Sequence, residues 1–383
     1  MITFEGVSKH YPDGTVAVDR LDLEIPTGRT TVLVGSSGSG KTTALRMINR
    51  MVEPTSGVLA IDGEDIRGKD PATLRRSIGY VIQQAGLFPH RTIVDNIATV
   101  PLLLGTPKAE ARGRARELME LVGLEPAQEK RYPHQLSGGQ QQRVGVARAL
   151  AADPPILLMD EPFSAVDPLV RASLQDELLR LQQELHKTIV FVTHDIDEAV
   201  KLGDAIAVFR SGGRLAQLAP PEKLLAEPAD AFVEDFIGYD RGVRRLSFFP
   251  ARDLSPRSDI IVADTATAAD AGQVAAATGE PWLLVTDAGR RPLGWIGADR
   301  LAGLDPGSVL SGVDLIGYGH TFTVPTDSLR AALDAAVLSP AGRAVGVGAD
   351  GTVIGVVSQT DLGTAIWSVG EADGHAAAEG DDD

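Results

Sequence analysis

Nine residues near the N-terminus have the types and spacing of a phosphate-binding loop. The run Gly35-Ser36-Ser37-Gly38-Ser39-Gly40-Lys41-Thr42-Thr43 fits the pattern G-x-x-x-x-G-K-[ST] between a β-branched strand and a helix. Glycines let backbone N–H groups approach phosphate oxygens, and the helix N-terminus adds its positive dipole end. Lys41 supplies a charge for the β- and γ-phosphates, and Thr42 supplies a hydroxyl for Mg²⁺. The run therefore predicts a nucleoside triphosphate site rather than a flexible Ser/Gly loop.

Polar side chains also follow three predicted buried strands. Asp160 and Glu161 end the apolar run 155–159, His194 follows the strand 188–193, and Gln83 follows the strand 78–82. Ligands of open α/β sheets bind at the carboxyl ends of strands. We expect Asp160 to hold Mg²⁺ through water, Glu161 to polarise an attacking water and His194 to contact the γ-phosphate. Gln83 can ligate Mg²⁺ and reach the attacking water, or be a polar strand end only.

A second anion-binding loop is predicted at 136–140. Ser137 can cap the helix that follows, while Gly138 and Gly139 leave backbone N–H groups open beside Gln140. One nucleotide does not obviously need two such loops. Tyr11 is an aromatic residue that could stack on an adenine, and a half-buried loop tyrosine is an equal alternative.

The elements that must position these residues change character along the chain. Residues 2–34 alternate as antiparallel β structure, and 92–150 become helical. Strands and helices alternate from 155 onward, and the stretch 205–217 predicts a hairpin. A helical stretch follows from Pro221 to about Gly238. Four leucines on one face of the helix after 168 indicate packing alone.

Composition narrows the function classes. The 383 residues carry 36 basic and 52 acidic side chains, and from Pro250 onward 7 basic face 19 acidic ones. This acidic balance gives no electrostatic footprint for nucleic acid. The absence of cysteine excludes thiol catalysis and thiolate metal sites. No apolar run approaches 18 residues, so we expect no membrane span, and the opening strand pattern argues against a signal peptide.

The C-terminal part repeats itself. The stretches 282–301 and 344–362 each predict a strand, a turn, a strand and a helix start, with Val285 matching Val347 and Gly294 matching Gly355. Residues 241–256 predict a basic linker, and the acidic tail 367–383 is expected to be disordered.

Residues 1–240 resemble the ATP-binding subunit of ABC transporters. The resemblance implies a P-loop NTPase of the α/β class, with a RecA-like core, an antiparallel β subdomain and a helical subdomain. In that family two cassettes pair head to tail, and each signature serine caps the γ-phosphate held by the other chain. The implied roles are adenine stacking by Tyr11, Walker A by Gly35–Thr42, the Q-loop by Gln83, the signature by Leu136–Gln140, Walker B and catalysis by Asp160 and Glu161, the D-loop by Asp167 and the switch by His194.

Residues 257–366 resemble a tandem of cystathionine-β-synthase (CBS) type modules, an α+β domain with repeats at about 257–308 and 309–366. In nucleotide-binding CBS repeats a G-x-x-[ST]-x-[ST]-D strand end holds ribose. The run Ser358-Gln359-Thr360-Asp361 fits it, whereas the first repeat has Gly297 at the first hydroxyl position. The resemblance thus allows a regulatory adenine nucleotide at one site and argues against two, and sensing of ionic strength by the acidic module is the alternative.

The cassette and the CBS pair, together with Phe88-Pro89-His90 and the run 236–240, resemble the ATP-binding subunits of importers of glycine betaine, proline, choline or carnitine. We therefore expect an ATP- and Mg²⁺-dependent subunit on the cytoplasmic face of the membrane. Its implied partners are a second copy of itself, transmembrane permease subunits and, indirectly, an extracytoplasmic solute-binding protein. An importer for another amino acid or small solute and a non-transport ABC ATPase are the alternatives. A module that only senses nucleotide conflicts with a catalytic Glu161.

Overall fold

The computed structural model describes residues 1–82, 86–164 and 166–366, with the backbone only at Leu169. The chain divides into a first unit from Met1 to Tyr239 and a second unit that begins at Asp240. Gln83 and the acidic tail lie outside the described residues. None of the helices in the described ranges is long and apolar enough to cross a membrane.

An antiparallel sheet of four strands opens the first unit. Its strands are β1 (Ile2–His10), β2 (Val16–Ile25), β4 (Ser56–Ile61) and β5 (Glu64–Asp65), in the order β2-β1-β4-β5. The prediction of antiparallel structure for 2–34 is confirmed for β1 and β2. It is wrong for the next strand, β3 (Thr30–Gly35), which pairs in parallel within a second sheet. All six of its residues are buried, as is typical of strands covered on both faces in parallel sheets.

That second sheet has six strands in the order β10-β9-β3-β8-β7-β6. All its pairs are parallel except the hairpin of β9 and β10, which confirms the hairpin predicted at 205–217. The other bounds are β6 (Ile78–Val81), β7 (Ile156–Asp160), β8 (Thr188–Thr193), β9 (Ala205–Arg210) and β10 (Arg214–Ala219). The carboxyl ends of β3, β8 and β7 therefore meet at one edge.

Helices surround this sheet, and the predicted helical region 92–150 is confirmed. The predicted helical stretch from Pro221 forms two short helices rather than one. The helices are α1 (Lys41–Ile48), α2 (Pro71–Arg76), α3 (Ile93–Ile97), α4 (Thr99–Leu103), α5 (Lys108–Leu121), α6 (Gly138–Leu150), α7 (Pro168–Leu185), α8 (Ile196–Leu202), α9 (Pro221–Ala226) and α10 (Ala231–Ile237).

The second unit begins with α11 (Arg241–Arg245), in the segment predicted as a linker. Leu246, Ala251 and Leu254 of that segment are buried in an apolar cluster with Phe322 and Leu329. Because these side chains lie in a core, the segment packs as part of the second unit.

The two sequence repeats form two three-stranded sheets of the same topology. Each has a parallel pair followed by an antiparallel pair, with one helix between the parallel strands and one after the last strand. The first contains β11 (Ile261–Ala263), α12 (Ala268–Thr278), β12 (Trp282–Thr286), β13 (Pro292–Gly297) and α13 (Ala298–Ala302). The second contains β14 (Thr321–Thr323), α14 (Leu329–Leu338), β15 (Arg343–Val347), β16 (Val353–Ser358) and a helix, α15, over 359–366.

The matched glycines, Gly294 and Gly355, lie where a backbone segment outside each sheet pairs with the last strand of that sheet. Arg257, ahead of the first strand of the first repeat, forms an antiparallel bridge to Val356 in the last strand of the second repeat, and Ile316 bridges Trp295 of the first repeat in the same way. A Cβ on Gly294 would lie 2.6 Å from Ile316 O, and one on Gly355 would lie 2.6 Å from the Cβ of Pro256. Any side chain there would separate the crossing segments.

Candidate functional site

The loop between β3 and α1 has a backbone that requires glycine. Gly35 has φ 155°, Gly38 φ 77° and Gly40 φ 88°. A Cβ on Gly40 would overlap the carbonyl oxygen of Ala17 and lie 3.0 Å from Gly213 Cα. The loop is therefore held between the β2 strand and the β9–β10 turn, and it delivers Lys41 into the first turn of α1.

Lys41 is buried, with 5% of its surface exposed. Its ammonium donates hydrogen bonds to Gly35 O at 2.7 Å, Ser36 O at 2.8 Å and Ser39 Oγ at 3.2 Å. Burial lowers the pKa of Lys41, and the carboxylates of Glu161 and Asp160 oppose that shift. Because the loop oxygens are neutral acceptors, the oxygens of a triphosphate are stronger partners for this charge.

Asp160, at the tip of β7, is also buried, and its two oxygens face different donors. The Thr42 hydroxyl donates to Oδ1 at 2.8 Å. Arg46 Nη2 and the Tyr80 hydroxyl each lie 3.3 Å from Oδ2. A buried carboxylate needs such partners. Arg46 and Tyr80 were missed from the sequence because 114 and 80 residues separate them from Asp160.

The pairing of Thr42 and Asp160 fits a magnesium site. A hydroxyl and a carboxylate are hard oxygen donors, and Mg²⁺ is typically held by one or two protein oxygens together with phosphate and water. In the described ranges no cluster of three or more His, Cys, Asp or Glu side chains could hold a metal alone. The donor set therefore suits a metal that arrives with a nucleotide.

Glu161 and His194 meet at the same edge. Glu161 has φ 45°, and its backbone N–H donates to Val192 O at 3.0 Å, which fixes the residue beside β8. Its Oε1 lies 3.5 Å from His194 Nδ1. A non-glycine residue in the left-handed region is uncommon and marks a constrained backbone. The arrangement aims a carboxylate and an imidazole past the strand ends, beside the phosphate loop.

The second anion loop lies apart from these groups. Ser137 caps α6 as predicted: its hydroxyl accepts from Gln140 N at 3.3 Å, and Gln140 Oε1 accepts from Ser137 N at 3.0 Å. Across the described parts of the chain, no hydrogen bond or ion pair joins Ser137 to residues 35–43. Gly138 has open space at its Cβ position, whereas a Cβ on Gly139 would lie 2.7 Å from Val170 Cγ1.

The other predicted residues occupy separate positions. Tyr11 is 37% exposed, beneath the ammonium of Lys9, which lies 5.1 Å from its ring centroid. Asp167 is exposed just before α7. The structure thus brings together residues 35–43, Asp160, Glu161 and His194. It places Tyr11 beside Lys9, Asp167 just before α7 and residues 136–140 at the start of α6.

In the second unit, Ser358 and Asp361 of the predicted ribose motif bond to each other at the start of α15. The Ser358 hydroxyl donates to Asp361 Oδ2 at 2.7 Å and accepts from Asp361 N at 3.1 Å, while Ser358 N donates to Asp361 Oδ2 at 2.9 Å. This reciprocal pattern is a cap for α15. In the first repeat Gly297 precedes α13 with no side-chain cap.

Comparison with known sequences places these residues in a family. A model described as ABC transporter matches residues 18–164. The glycine betaine/carnitine/choline transport ATP-binding protein OpuCA of Bacillus subtilis is 50% identical over 288 residues, 75% of this chain and 76% of that protein. The osmoprotectant import ATP-binding protein OsmV of Salmonella typhimurium is 52% identical over 272 residues, 70% and 71% respectively. The choline transport ATP-binding protein OpuBA of Bacillus subtilis is 55% identical over 247 residues, 64% of this chain and 65% of that protein.

Solved structures agree on the fold. The dimeric structure of MJ0796, a bacterial ABC transporter cassette, has a TM-score of 0.53 and 36% identity, and it covers 58% of this chain and 99% of that chain. The same cassette has been solved as a dimer in a post-hydrolysis state bound to ADP and Pi.

Proposed function

Because the chain belongs to the ATP-binding subunits of ABC transporters, we propose that its ATP hydrolysis drives import of an osmoprotectant such as glycine betaine, proline, choline or carnitine. The observation that carries the hydrolytic activity is the meeting of Lys41, Asp160, Glu161 and His194 at one sheet edge. Relatives named for choline, carnitine and glycine betaine transport support the solute class.

The geometry supports a role for each residue in phosphoryl transfer. Backbone N–H groups of residues 35–40 and the Lys41 ammonium would bind the β- and γ-phosphates, while Thr42 and Asp160 would hold Mg²⁺. The metal, when bound, neutralises charge on the phosphate oxygens. Glu161 accepts a proton from the attacking water, and His194 donates a hydrogen bond to the γ-phosphate. Most of the rate gain then comes from positioning and electrostatics.

Two copies of the chain are needed for a closed site. Each copy carries one phosphate loop and one Ser137 loop, and these lie apart within a single chain. In a head-to-tail pair, Ser137 and Gly138 of the second copy cap the γ-phosphate bound at Lys41, and Asp167 lies at the same junction. The solved dimer of a related cassette supports the pairing of two copies. Tyr11 would stack on the adenine, and Gln83 would ligate Mg²⁺ and reach the attacking water.

The subunit operates on the cytoplasmic face of the membrane, attached to transmembrane permease subunits that receive solute from an extracytoplasmic binding protein. The names of the relatives as transport ATP-binding proteins support these partners. The chain itself needs no membrane-spanning helix for this role, because the permease supplies the path.

The second unit, whose repeated topology supports assignment as a CBS pair over about 257–366, regulates transport. Its acidic surface repels an anionic membrane, and that repulsion weakens as salt shortens the Debye length below about 8 Å. An adenine nucleotide near Ser358 and Asp361 is the competing trigger, and Asp361 would accept its ribose hydroxyls while Asp361 Oδ2 also accepts from Ser358.

Glu161→Gln tests the hydrolytic role. The substitution keeps the side-chain size and removes the base, so turnover should fall on the order of 10²- to 10⁴-fold while ATP binding persists. The variant should accumulate as an ATP-bound dimer in size-exclusion chromatography. Glu184→Gln, on the exposed face of α7, is the matched control. Near-normal phosphate release by purified Glu161→Gln would refute the assignment.

The solute class is tested separately. Uptake by proteoliposomes containing the permease and its binding protein should be ATP-dependent for a quaternary amine and absent for methionine. Uptake of methionine instead would leave the ATPase assignment intact and overturn the osmoprotectant assignment.

A further inference from the structure

The tip of β8 is held from behind by a buried carboxylate. Glu198, in the first turn of α8, is 7% exposed, and its Oε2 accepts a hydrogen bond from Thr193 Oγ1 at 2.7 Å. Thr193 Oγ1 in turn accepts from Asp195 N at 3.0 Å. Both neighbours of His194 are thus anchored, although the His194 side chain is itself 62% exposed. The histidine is placed by its backbone rather than by packing around its ring.

Arg171, in the first turn of α7, is the cation that faces this carboxylate. Its Nε lies 4.0 Å from Glu198 Oε1 and its Nη1 lies 3.9 Å from Asp195 Oδ2. The remaining Glu198 oxygen contact is Gln175 Nε2 at 3.2 Å. Burial and the neighbouring Asp195 raise the pKa of Glu198, whereas Thr193 and Arg171 oppose the shift. Without Arg171, the ionised form of Glu198 would lose its counter-charge.

The same guanidinium reaches the loop after β7. Arg171 Nη2 donates to Val166 O at 3.4 Å, one residue before Asp167. Arg171, Glu198, His194 and Glu161 bound a common cavity of about 40 Å³. One side chain therefore contacts the loop that carries Asp167 and the element that holds His194.

We propose that Arg171 is a positioning residue: through Glu198 and Thr193 it sets His194 against Glu161, and through Val166 it joins that setting to the Asp167 loop. The proposal rests on the hydrolytic function inferred above and adds residues that the motif comparison does not assign. Arg171 would then couple the position of the Asp167 loop, which faces the second copy in the proposed dimer, to the position of His194.

Arg171→Ala in the full-length chain provides the first test. We expect kcat for ATP hydrolysis to fall by roughly 3- to 30-fold, with KM for ATP nearly unchanged because the Lys41 loop is untouched. Arg171→Lys should restore part of kcat by restoring charge. Arg180→Ala on the same helix, whose partners Glu177, Glu184 and Leu121 O do not line the cavity beside His194, is the matched control and should match wild type. An equal loss in the control, or a change in KM alone, would overturn the proposal.

A double-mutant cycle separates positioning from general damage. If Arg171 acts through His194, Arg171→Ala should cost almost nothing further in a His194→Ala background, measured by release of radiolabelled phosphate. Additive losses would overturn the proposal. Should Arg171→Ala fail to fold, Glu198→Gln serves instead: it keeps an acceptor for Thr193, removes the charge that Arg171 faces, and should lower kcat with the same dependence on His194. Full activity of Glu198→Gln would contradict the role.

The hydrolytic assignment and this proposal fail differently. An inactive wild-type protein, or an active Glu161→Gln variant, would remove the underlying function. A normal response of Glu161→Gln with additive Arg171 and His194 losses would remove only the positioning role.

Discussion

Replacing Gly40 by alanine should destabilise the first unit far more than the same change at Gly38. Both glycines lie in the phosphate loop with φ near 80°, at 88° and 77°. They differ in surroundings: Gly38 has open space where a Cβ would stand, whereas Gly40 faces the backbone of Ala17 and Gly213. The pair therefore separates the cost of backbone strain from the cost of a clash.

The magnitude follows from two contributions. A non-glycine residue in the left-handed region costs about 1–2 kcal/mol, and this applies to both variants. At Gly40 the new methyl meets main-chain atoms that cannot rotate away, so an overpacking cost of about 1–3 kcal/mol is added. We expect roughly 1–2 kcal/mol for Gly38→Ala and roughly 2–5 kcal/mol for Gly40→Ala.

The tryptophans make the measurement specific. All three tryptophans, Trp282, Trp295 and Trp367, follow Tyr239 in the sequence, and Trp295 is buried in the core of the second unit, so tryptophan emission during urea unfolding has no source in the first unit. Far-UV circular dichroism reports both units. The first unit is therefore followed by the part of the circular dichroism change that occurs without a change in tryptophan emission. Gly40→Ala should lower the urea midpoint of that part and leave the urea midpoint of tryptophan emission unchanged.

Two results would refute the reasoning. Equal destabilisation by Gly40→Ala and Gly38→Ala would show that the β2 strand and the β9–β10 turn do not confine the loop. A shift of the tryptophan midpoint equal to that of the first unit would show that the two units unfold together.

Further expectations follow from the site and from the unit boundary. Ser137→Arg and Lys41→Ala should each abolish ATP-dependent dimerisation, and their mixture should recover it through one intact site, as measured by light scattering. Tyr11→Ala should weaken ATP binding by about 1–3 kcal/mol in calorimetry, with Tyr11→Trp near wild type. Because the folded pKa of Glu198 is raised, wild-type stability should fall, relative to Glu198→Gln, as pH rises from below the ordinary glutamate pKa through the raised value. Ending the chain at Tyr239 should keep ATPase activity with the permease and remove the response of uptake to salt or nucleotide; a retained response would exclude the regulatory role.

The phosphate loop and the strand-tip carboxylates could be predicted because their chemistry lies in contiguous residues. The residue types and spacing of 35–43 determine the shape of the loop without help from distant residues. An apolar run ending in Asp160 and Glu161 likewise indicates the end of a buried strand. The pairing of β3 with β8 and β9 could not be read in the same way, because its partners lie more than 150 residues away. Because residues 2–25 alternate between apolar and polar, we predicted antiparallel pairing through residue 34 and so included β3, which is parallel.

The supporting residues were missed for a related reason. Arg46, Tyr80 and Arg171 carry no motif, and ordinary helix and strand positions explain each of them. Only Glu198 offered a signal, as a carboxylate in the first turn of the helix after His194, where acids are common for their effect on the helix dipole. Its burial, which distinguishes it from such acids, is a tertiary property.

The backbone pairing between the two repeats also delays folding of the second unit during synthesis. Arg257 pairs with Val356, so its partner leaves the ribosome 99 residues later (356 minus 257). At about 5–20 residues per second, that delay is roughly 5–20 s. During this time the core of the first repeat lacks Val345, Val347, Val353 and Val356, which complete its apolar cluster. A nascent chain of this length exposes both an open strand edge and an unfinished core, and we expect it to be the stage at which the protein most needs chaperones.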